Sequence, residues 1–493
     1  MYIVTFYSFK GGVGRTLALA NVGLELARTG RRVLLVDFDL EAPGIHTFKL
    51  MKPIEAHLGL VDYISDYMNN RSAPDVRNYI YEVLAVGQKD GRLWVMPAGK
   101  SGAEYSKKLS AINWETLYKE QDGFIMFEDM KAQWKSSYEP DYVLIDSRTG
   151  HTDTGGICTR QLPDAVVILF FPNEQNLAGL KPIVSSIHAE DKKSEKTTRL
   201  HFVMSNVPDL DDEDEILANL ETRFQEELGY ESLATTIHRY DSLLLLQQSL
   251  FVAERPKSRL AREYKKLMQE IVEQNIQDRE GVIQSLSGKR RRFILNEGAI
   301  KNEEDRIDKI VKHHIKDGEL LYLLAMELKH LGRSKKSEML LASSINCGYR
   351  SPEALLSRAD TLQKDGNNED ALKCIWELFN YDSLNREQLG LGVDILRRIE
   401  PKKLLEIADT PAFKSLSVDK CIWISSELNW CKPGLQASIN LLLRHYKDTK
   451  QSVDTAETVK RVLVLAFVGL GKFEEAIKLF GNVRSKPEGL KID

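Results

Sequence analysis

The chain has 493 residues, with 68 lysines and arginines against 72 aspartates and glutamates, a formal net charge of −4. That balance argues against a broad basic coat for nucleic acid, and 42% hydrophobic with 28% charged residues is ordinary globular composition. The longest apolar runs, such as Ala165–Phe171 and Leu243–Leu246, fall far short of the roughly 18 to 20 residues that cross a bilayer.

The opening Met1-Tyr-Ile-Val-Thr-Phe-Tyr7 lacks the basic flank and small-residue cleavage site of an export signal, so a cytoplasmic protein is expected. Cys158, Cys347, Cys374, Cys421 and Cys431 are odd in number and form no C-x-x-C pair, which excludes the usual disulfide and zinc patterns and predicts buried free thiols. The ten histidines show no spacing that would set two metal ligands on one helix face.

In chain order, Ile3–Ser8 reads as a first strand. A glycine-rich turn follows, and Thr16–Thr29 has the pattern of a helix. Further strand-like runs lie at Val33–Val36, Leu93–Met96, Tyr142–Ile145, Val166–Phe171 and His201–Ser205, with helical patterns at Phe124–Ser137 and Asp214–Glu227. The strand runs are nearly continuously apolar, as expected of strands buried on both faces. Alternation of such strands with helices predicts an α/β, doubly wound, mostly parallel sheet over residues 1–275. Residues 276–300, with Gly281, Gly288, Gly298 and the basic run Lys289–Arg292, read as a linker with room for a short helix, and the basic run as a solvated hinge in preference to a nucleic-acid contact. The acidic run Asp209–Glu215 reads as an exposed helix start. From 301 to 493 the strand-like runs disappear and the pattern is all-α.

Within that last segment Gly332, Gly366 and Gly471 are each followed five residues later by a small residue, Ser337, Ala371 and Ala476. Gly332 and Gly366 are 34 positions apart, and Gly471 lies 105 further on, about three more periods. This spacing resembles the tetratricopeptide repeat, with Ala325 and Ala359 seven residues before their glycines and Val464 in the same place of the last unit. Between Asp382 and Asp454 no turn signal falls in register, and a plain helical bundle is the other reading. Either arrangement predicts a surface for a protein partner.

The segment Phe6-Tyr-Ser-Phe-Lys-Gly-Gly-Val-Gly-Arg-Thr-Leu17 lies between the first strand and the first helix. Glycines there let the backbone fold around an anion, with loop and helix-start N–H groups pointing at phosphate oxygens. Thr16 stands where the P-loop hydroxyl ligates Mg²⁺, Arg15 where a lysine usually contacts phosphate, and Phe9 where the ordinary motif begins with glycine. Asp37, Asp39 and Asp146 close two of the buried strands, where a carboxylate costs several kcal/mol unless a cation or hydrogen bonds compensate it.

The loop Lys10-Gly-Gly-Val-Gly-Arg-Thr16 resembles the deviant Walker A of the ParA/MinD ATPases, in particular their KGGVGR-variant subgroup, and the likeness covers roughly residues 1–275. The resemblance implies ATP and Mg²⁺ as ligands. Gly11, Gly12, Val13, Gly14, Arg15, Thr16 and Leu17 would hold the phosphates, and Thr16, Asp37 and Asp146 the metal. Val33–Gly44 resembles the second strand and switch I, where Asp39 would orient the attacking water; Asp141–Asp146 resembles Walker B; Asn206 falls where the family reads the adenine edge. Pro172–Leu180 resembles the segment after the preceding strand, and Arg255–Tyr264 the start of the closing helix.

The resemblance further implies an ATP-bound homodimer in which Lys10 crosses to the partner's phosphates. The expected function is a slow ATPase switch whose helical half recruits a protein partner. By resemblance alone that partner is an effector encoded nearby in a bacterial antiphage or conflict system. Departures from the family pattern leave turnover open. Arg15 replaces a compact ammonium by a planar fork, Leu17 removes a hydroxyl, and Asp146-Ser-Arg-Thr-Gly150 lacks the prolines of switch II. Arg148 could clamp the γ-phosphate or bind Asp153. The rival readings are a nucleotide-binding scaffold without hydrolysis, a P-loop tyrosine kinase, disfavoured because residues 481–493 contain no tyrosine, and a partition ATPase. The polar, broken end at Gly481–Gly489 argues against a lipid-binding terminal helix.

Overall fold

The structure is a computed structural model, and it describes residues 1–53, 55–84, 90–151, 153–194, 196–208, 213–241, 249–289, 297–446 and 453–480. The run Leu243–Leu246, most of the acidic run, the basic run beyond Lys289 and the residues after 480 lie outside the described residues. Two compact units divide the chain, residues 1–285 and 286–493.

Among the described residues the first unit is built on eight strands: β1 (Tyr2–Tyr7), β2 (Arg32–Asp37), β3 (Tyr81–Glu82), β4 (Arg92–Met96), β5 (Tyr142–Asp146), β6 (Ala165–Phe170), β7 (Arg199–Val207) and β8 (Thr235–His238). Their order across the sheet is β3-β4-β2-β5-β1-β6-β7-β8. Every pairing is parallel except that of the edge strand β3 with β4. All six strand-like runs of the sequence are strands of this sheet, which is the doubly wound α/β arrangement expected.

The principal helices of this unit are α1 (Arg15–Arg28), α2 (Leu60–Asn70), α3 (Gly123–Tyr138), α4 (Glu174–Ser194), α5 (Glu213–Leu228) and α6 (Arg259–Gln274). Successive strand residues point to opposite faces, and here both faces are covered. Val4, Phe6, Leu35 and Leu144 pack with residues of α1 and α6. Ile3, Leu34, Val36, Val143 and Ile145 pack on the other side with α2 and α3. Ile168, Phe170, Phe202 and Met204 meet α4 and α5.

Helix α1 is apolar nearly all round because it is enclosed on all sides, and Gly23 lets it approach β2: a Cβ there would lie 2.5 Å from Leu35 Cδ2. The sequence placed the start of α6 at Arg255, but Ser258 caps the helix by accepting the Ala261 N–H, so α6 begins at Arg259. The stretch read as a linker carries a helix, Arg279–Lys289. Asp278 anchors its start, accepting the Gly281 N–H while pairing with Arg31 and accepting the Tyr142 hydroxyl.

Among the described residues the second unit contains helices and no strand. Helices Gly318–His330 and Ser334–Asn346, Pro352–Lys364 and Asn368–Phe379, and Val453–Gly469 and Phe473–Phe480 are joined by turns centred on Gly332, Gly366 and Gly471. Those glycines have φ of 74°, 82° and 75°. In each turn the N–H of the next residue bonds back five positions: Arg333 to Leu328, Asn367 to Leu362 and Lys472 to Phe467. The small residues five positions later are buried, and Ser337 Oγ donates to the Ala325 carbonyl, so the second helix of that pair lies close against the first.

The stretch without a turn signal differs for a visible reason. Helix Arg386–Ile399 runs into a proline-initiated 3-10 segment, Pro401–Asp409, and a second proline opens the short helix Pro411–Lys414. The hairpin Val418–Leu428 and Lys432–Tyr446 follows. All five cysteines are free, but only Cys158, Cys374 and Cys421 are buried; Cys347 is exposed and Cys431 half-buried, correcting the expectation of five buried thiols.

Candidate functional site

The C-terminal ends of β1, β2, β5 and β7 lie on one edge of the sheet, where an open parallel sheet places its ligands. Between β1 and α1 the loop turns through Gly12 (φ 80°) and Gly14 (φ 76°), conformations that favour glycine. Among the described residues, nothing lies within 4 Å of a Cβ added at Gly11, Gly12 or Gly14. Helix α1 begins without a side-chain cap and with no acidic residue in its first turn, which leaves its leading N–H groups to an anion.

Hydrogen bonds hold the loop and the strand end that leads into it. Ser205 Oγ on β7 donates to the Val13 carbonyl at 2.7 Å, Ser8 Oγ donates to the Lys10 carbonyl, and the Tyr7 hydroxyl donates to Gly150. Lys10 Nζ rests 5.5 Å from the centre of the Phe9 ring. Leu17 packs its side chain on the core, leaving only its main chain for a ligand.

Three carboxylates gather behind the loop. Asp37 and Asp146 are register partners on the neighbouring strands β2 and β5, and both are fully buried. Asp37 Oδ2 accepts the N–H groups of Gly44 and Ile45, which folds the loop after β2 back over the site. That approach is close at Gly44: a Cβ there would lie 3.1 Å from Thr16 Cγ2, which would have to give by a few tenths of an ångström. Among the described residues, Asp37 Oδ1 and Asp146 Oδ2 are buried and find no hydrogen-bond partner. Burial and the charge of Asp146 push Asp37 well above the ordinary carboxylate range, against the pull of its two N–H donors.

Arg15 fills the middle of this cluster. Nε donates to Asp146 Oδ1 at 2.6 Å, Nη2 to Asp39 Oδ2 at 2.6 Å, and Nη1 to Ser8 Oγ at 3.3 Å. Only 7% of its side chain is exposed. Burial opposes its charge, yet Asp146 and then Asp39 raise the guanidinium above its usual value. Burial raises Asp39 as well, with Arg15 opposing. The residue expected to face phosphate is therefore turned toward carboxylates, because two aspartates and a serine offer three acceptors that its fork can satisfy together.

Arg148 pairs with Glu41. The side chain of Asp153, the partner that the sequence offers, lies outside the described residues. Asn206 does not end its strand: it sits within β7 at a register shift between Ser205 and Val207, with φ 60° and its side chain exposed. A bulge of this kind re-aims one side chain out of the ladder. Sequence reasoning missed Ser8, Glu41, Gly44, Ser147 and Ser205, which no spacing rule marks; Ser147 ties β5 to β1 through its hydroxyl bond to the Phe6 carbonyl.

The donor set suits a nucleotide with its metal. Two unpartnered buried carboxylate oxygens, close enough for Asp146 to raise Asp37, suit a small hard cation, and the uncapped helix start suits phosphate. Among the described residues no group of three or more His, Cys, Asp and Glu side chains could hold a metal ion without other ligands. No described helix is long and apolar enough to cross a membrane.

A family model described as the CobQ/CobB/MinD/ParA nucleotide binding domain matches residues 4–341. Among curated proteins, the chain is similar to the septum site-determining protein MinD of Buchnera aphidicola subsp. Schizaphis graminum, 25% identical over 194 residues, 39% of this chain and 62% of that protein. It is likewise similar to MinD of Helicobacter pylori, 24% identical over 201 residues, 40% of this chain and 63% of that one. The matched part spans less than two thirds of these relatives. Among solved structures, the MinD cell division protein of Aquifex aeolicus aligns with a TM-score of 0.40 at 17% identity, over 56% of this chain and 98% of that one. Apo McdA from Cyanothece aligns with a TM-score of 0.43 at 18% identity, over 55% and 99%.

Proposed function

The chain belongs to the CobQ/CobB/MinD/ParA nucleotide-binding family, and from that premise we propose that it is a slow ATP-dependent switch of the KGGVGR-variant subgroup. In this reading ATP closes two copies around their nucleotides, hydrolysis releases them, and the helical second unit recruits or regulates a protein partner. The turns at Gly332, Gly366 and Gly471 support a tetratricopeptide-like array for that unit. The proposal extends to a bacterial antiphage or conflict setting with the effector as partner.

One observation carries the reading: an uncapped, glycine-rich helix start lies beside two buried carboxylates with unpartnered oxygens. The N–H groups of residues 11–17 would bind the phosphates, Asn206 the adenine edge, and Thr16, Asp37 and Asp146 would hold Mg²⁺. Magnesium, when bound, neutralises charge on the phosphate oxygens. Lys10 would bring a further positive charge to the partner copy's phosphates, where charge accumulates during phosphoryl transfer. Arg15 would contact phosphate once released from its carboxylates, and Asp39 would hold the attacking water and take up its proton.

The test is the mass of the full chain in solution with ATP and with ADP, for the parent, Lys10→Ala and Asp39→Ala. ATP should favour the larger species, Lys10→Ala should abolish it, and Asp39→Ala should prolong it. Identical masses throughout would remove the switch. A second reading, a nucleotide-binding scaffold with little turnover, is favoured by the grip of Arg15 on Asp39. Tightly retained ATP with turnover no faster than background would select it.

A further inference from the structure

We infer that Arg15 is the resident counter-ion of the carboxylate cluster, and that its transfer to phosphate couples nucleotide entry to the release of Asp39. The inference rests on the reading that a triphosphate occupies the loop, and it adds the order of events at that site.

Arginine at position 15 has a geometric reason. Three acceptors converge on it from three elements: Asp146 at the end of β5, Asp39 after β2, and Ser8 after β1. A guanidinium presents separate donors in a planar fork, whereas an ammonium is one point charge on a flexible stem. Lysine at this position would have to reach all three from a single nitrogen, whereas Arg15 meets each with a different one. Without either cation, Asp37, Asp39 and Asp146 would share a largely buried space with mutual repulsion and little compensation. Arg15 thus neutralises the cluster while no nucleotide is present.

Two consequences follow from charge. A divalent cation at the unpartnered oxygens of Asp37 and Asp146 would stand beside the guanidinium, so Arg15 opposes metal binding on its own. A polyphosphate reverses this, because it offers Arg15 new acceptors. Arg15 is the first residue of α1, adjoining the loop N–H groups, so a change of its side-chain rotamer can exchange one set of partners for the other. Its departure frees Asp39, which in the present arrangement is committed to Nη2. Metal and triphosphate should therefore bind together, and the Asp39 carboxylate should become available only then.

The experiment uses the full chain without nucleotide. Mg²⁺ alone is titrated against thermal stability for the parent, Arg15→Ala and Arg15→Lys. The expected result is little stabilisation of the parent and Mg²⁺ binding about tenfold tighter or more in Arg15→Ala, the scale of losing one competing charge-assisted hydrogen bond; Arg15→Lys should fall between. Equal Mg²⁺ affinity in parent and Arg15→Ala would overturn the inference. The parent also serves without any need for the alanine variant to fold. Its Arg15 Nε–H resonance, assigned by its loss in Arg15→Lys, should be protected from exchange, unmoved by Mg²⁺ alone and shifted by Mg²⁺ with ATP. A shift with Mg²⁺ alone, or none with Mg²⁺ and ATP that calorimetry shows to be bound, would refute it. Should calorimetry find no ATP binding, the nucleotide reading fails by itself, and the magnesium-only arm still decides the counter-ion role.

Discussion

Gly179 lies so close to Phe9 that a Cβ there would be 2.2 Å from the ring carbons Cδ1 and Cε1. The same ring meets His151 edge-on at 5.5 Å and carries Lys10 over its face. Helix α4 therefore fixes the side chain on which the loop lysine rests, and a glycine in the middle of a helix is explained by what it lets in.

Gly179→Ala should destabilise the first unit despite the better helix propensity of alanine, worth about 1 kcal/mol. The ring atoms it would strike include Cγ, so the aromatic side chain must move as a whole, an overpacking cost of about 1 to 3 kcal/mol. Urea midpoints for Gly179→Ala, Phe9→Leu and the double variant check this. A double variant more stable than the sum of the single effects would show that the two residues press on one another.

Asn206 combines a left-handed backbone with an exposed side chain at the β7 bulge. Asn206→Gly should leave stability nearly unchanged, and Asn206→Ala should cost about 1 kcal/mol for the strained φ. If the side chain reads the adenine edge, both variants lose ATP affinity, by about tenfold for one hydrogen bond to a buried acceptor or donor. Unchanged ATP binding by Asn206→Gly would assign this asparagine to backbone geometry alone.

The legibility of this fold followed the chemistry of each element. The six apolar strands announce themselves because both faces are buried, whereas β3, two residues of Tyr81-Glu82, and β8, with its Thr235-Thr236 start, are edge strands with mixed burial and no apolar run. Sheet order is absent from local sequence: β5 lies between β2 and β1 although 104 residues separate Asp37 from Tyr142. In the site, glycines and aspartates were readable because their spacing repeats a known phosphate-loop pattern. Which way Arg15 turns was not, because its acceptors come from Ser8, Asp39 and Asp146 and assemble only when three strand ends meet. Single hydroxyls such as Ser205, which holds the Val13 carbonyl, carry no spacing signal at all.

The turn glycines of the second unit offer a cleaner test of backbone strain. Gly332, Gly366 and Gly471 all have positive φ, and among the described residues an added Cβ at each would meet nothing within 4 Å. Alanine at Gly366 should therefore cost about 1 to 2 kcal/mol from conformation alone, and asparagine less, since it tolerates the left-handed region. Urea unfolding of Gly366→Ala and Gly366→Asn measures the difference. Equal losses in the two variants would point instead to a side-chain clash.

His201 supplies a pH dependence that belongs to the core rather than the site. It lies on β7, buried, and Nε2 has no hydrogen-bond partner among the described residues. Burial first, and then the charge of Arg199, lower its pKa from 6.5 to about 4. Above pH 6.5 the imidazole is neutral in both folded and unfolded chains, and its contribution to stability is complete. As pH falls toward 4, the unfolded chain takes up a proton that the folded one refuses, and stability is lost across that window, by up to about 3 kcal/mol. His201→Leu cannot titrate there, so the stability curves of parent and variant should converge or cross as pH falls, with the parent losing more. Carboxylates titrate in both proteins and cancel in the comparison. Parallel curves between pH 6.5 and 4 would mean that the buried imidazole gains its proton without penalty, and that the packing around β7 opens to water at low pH.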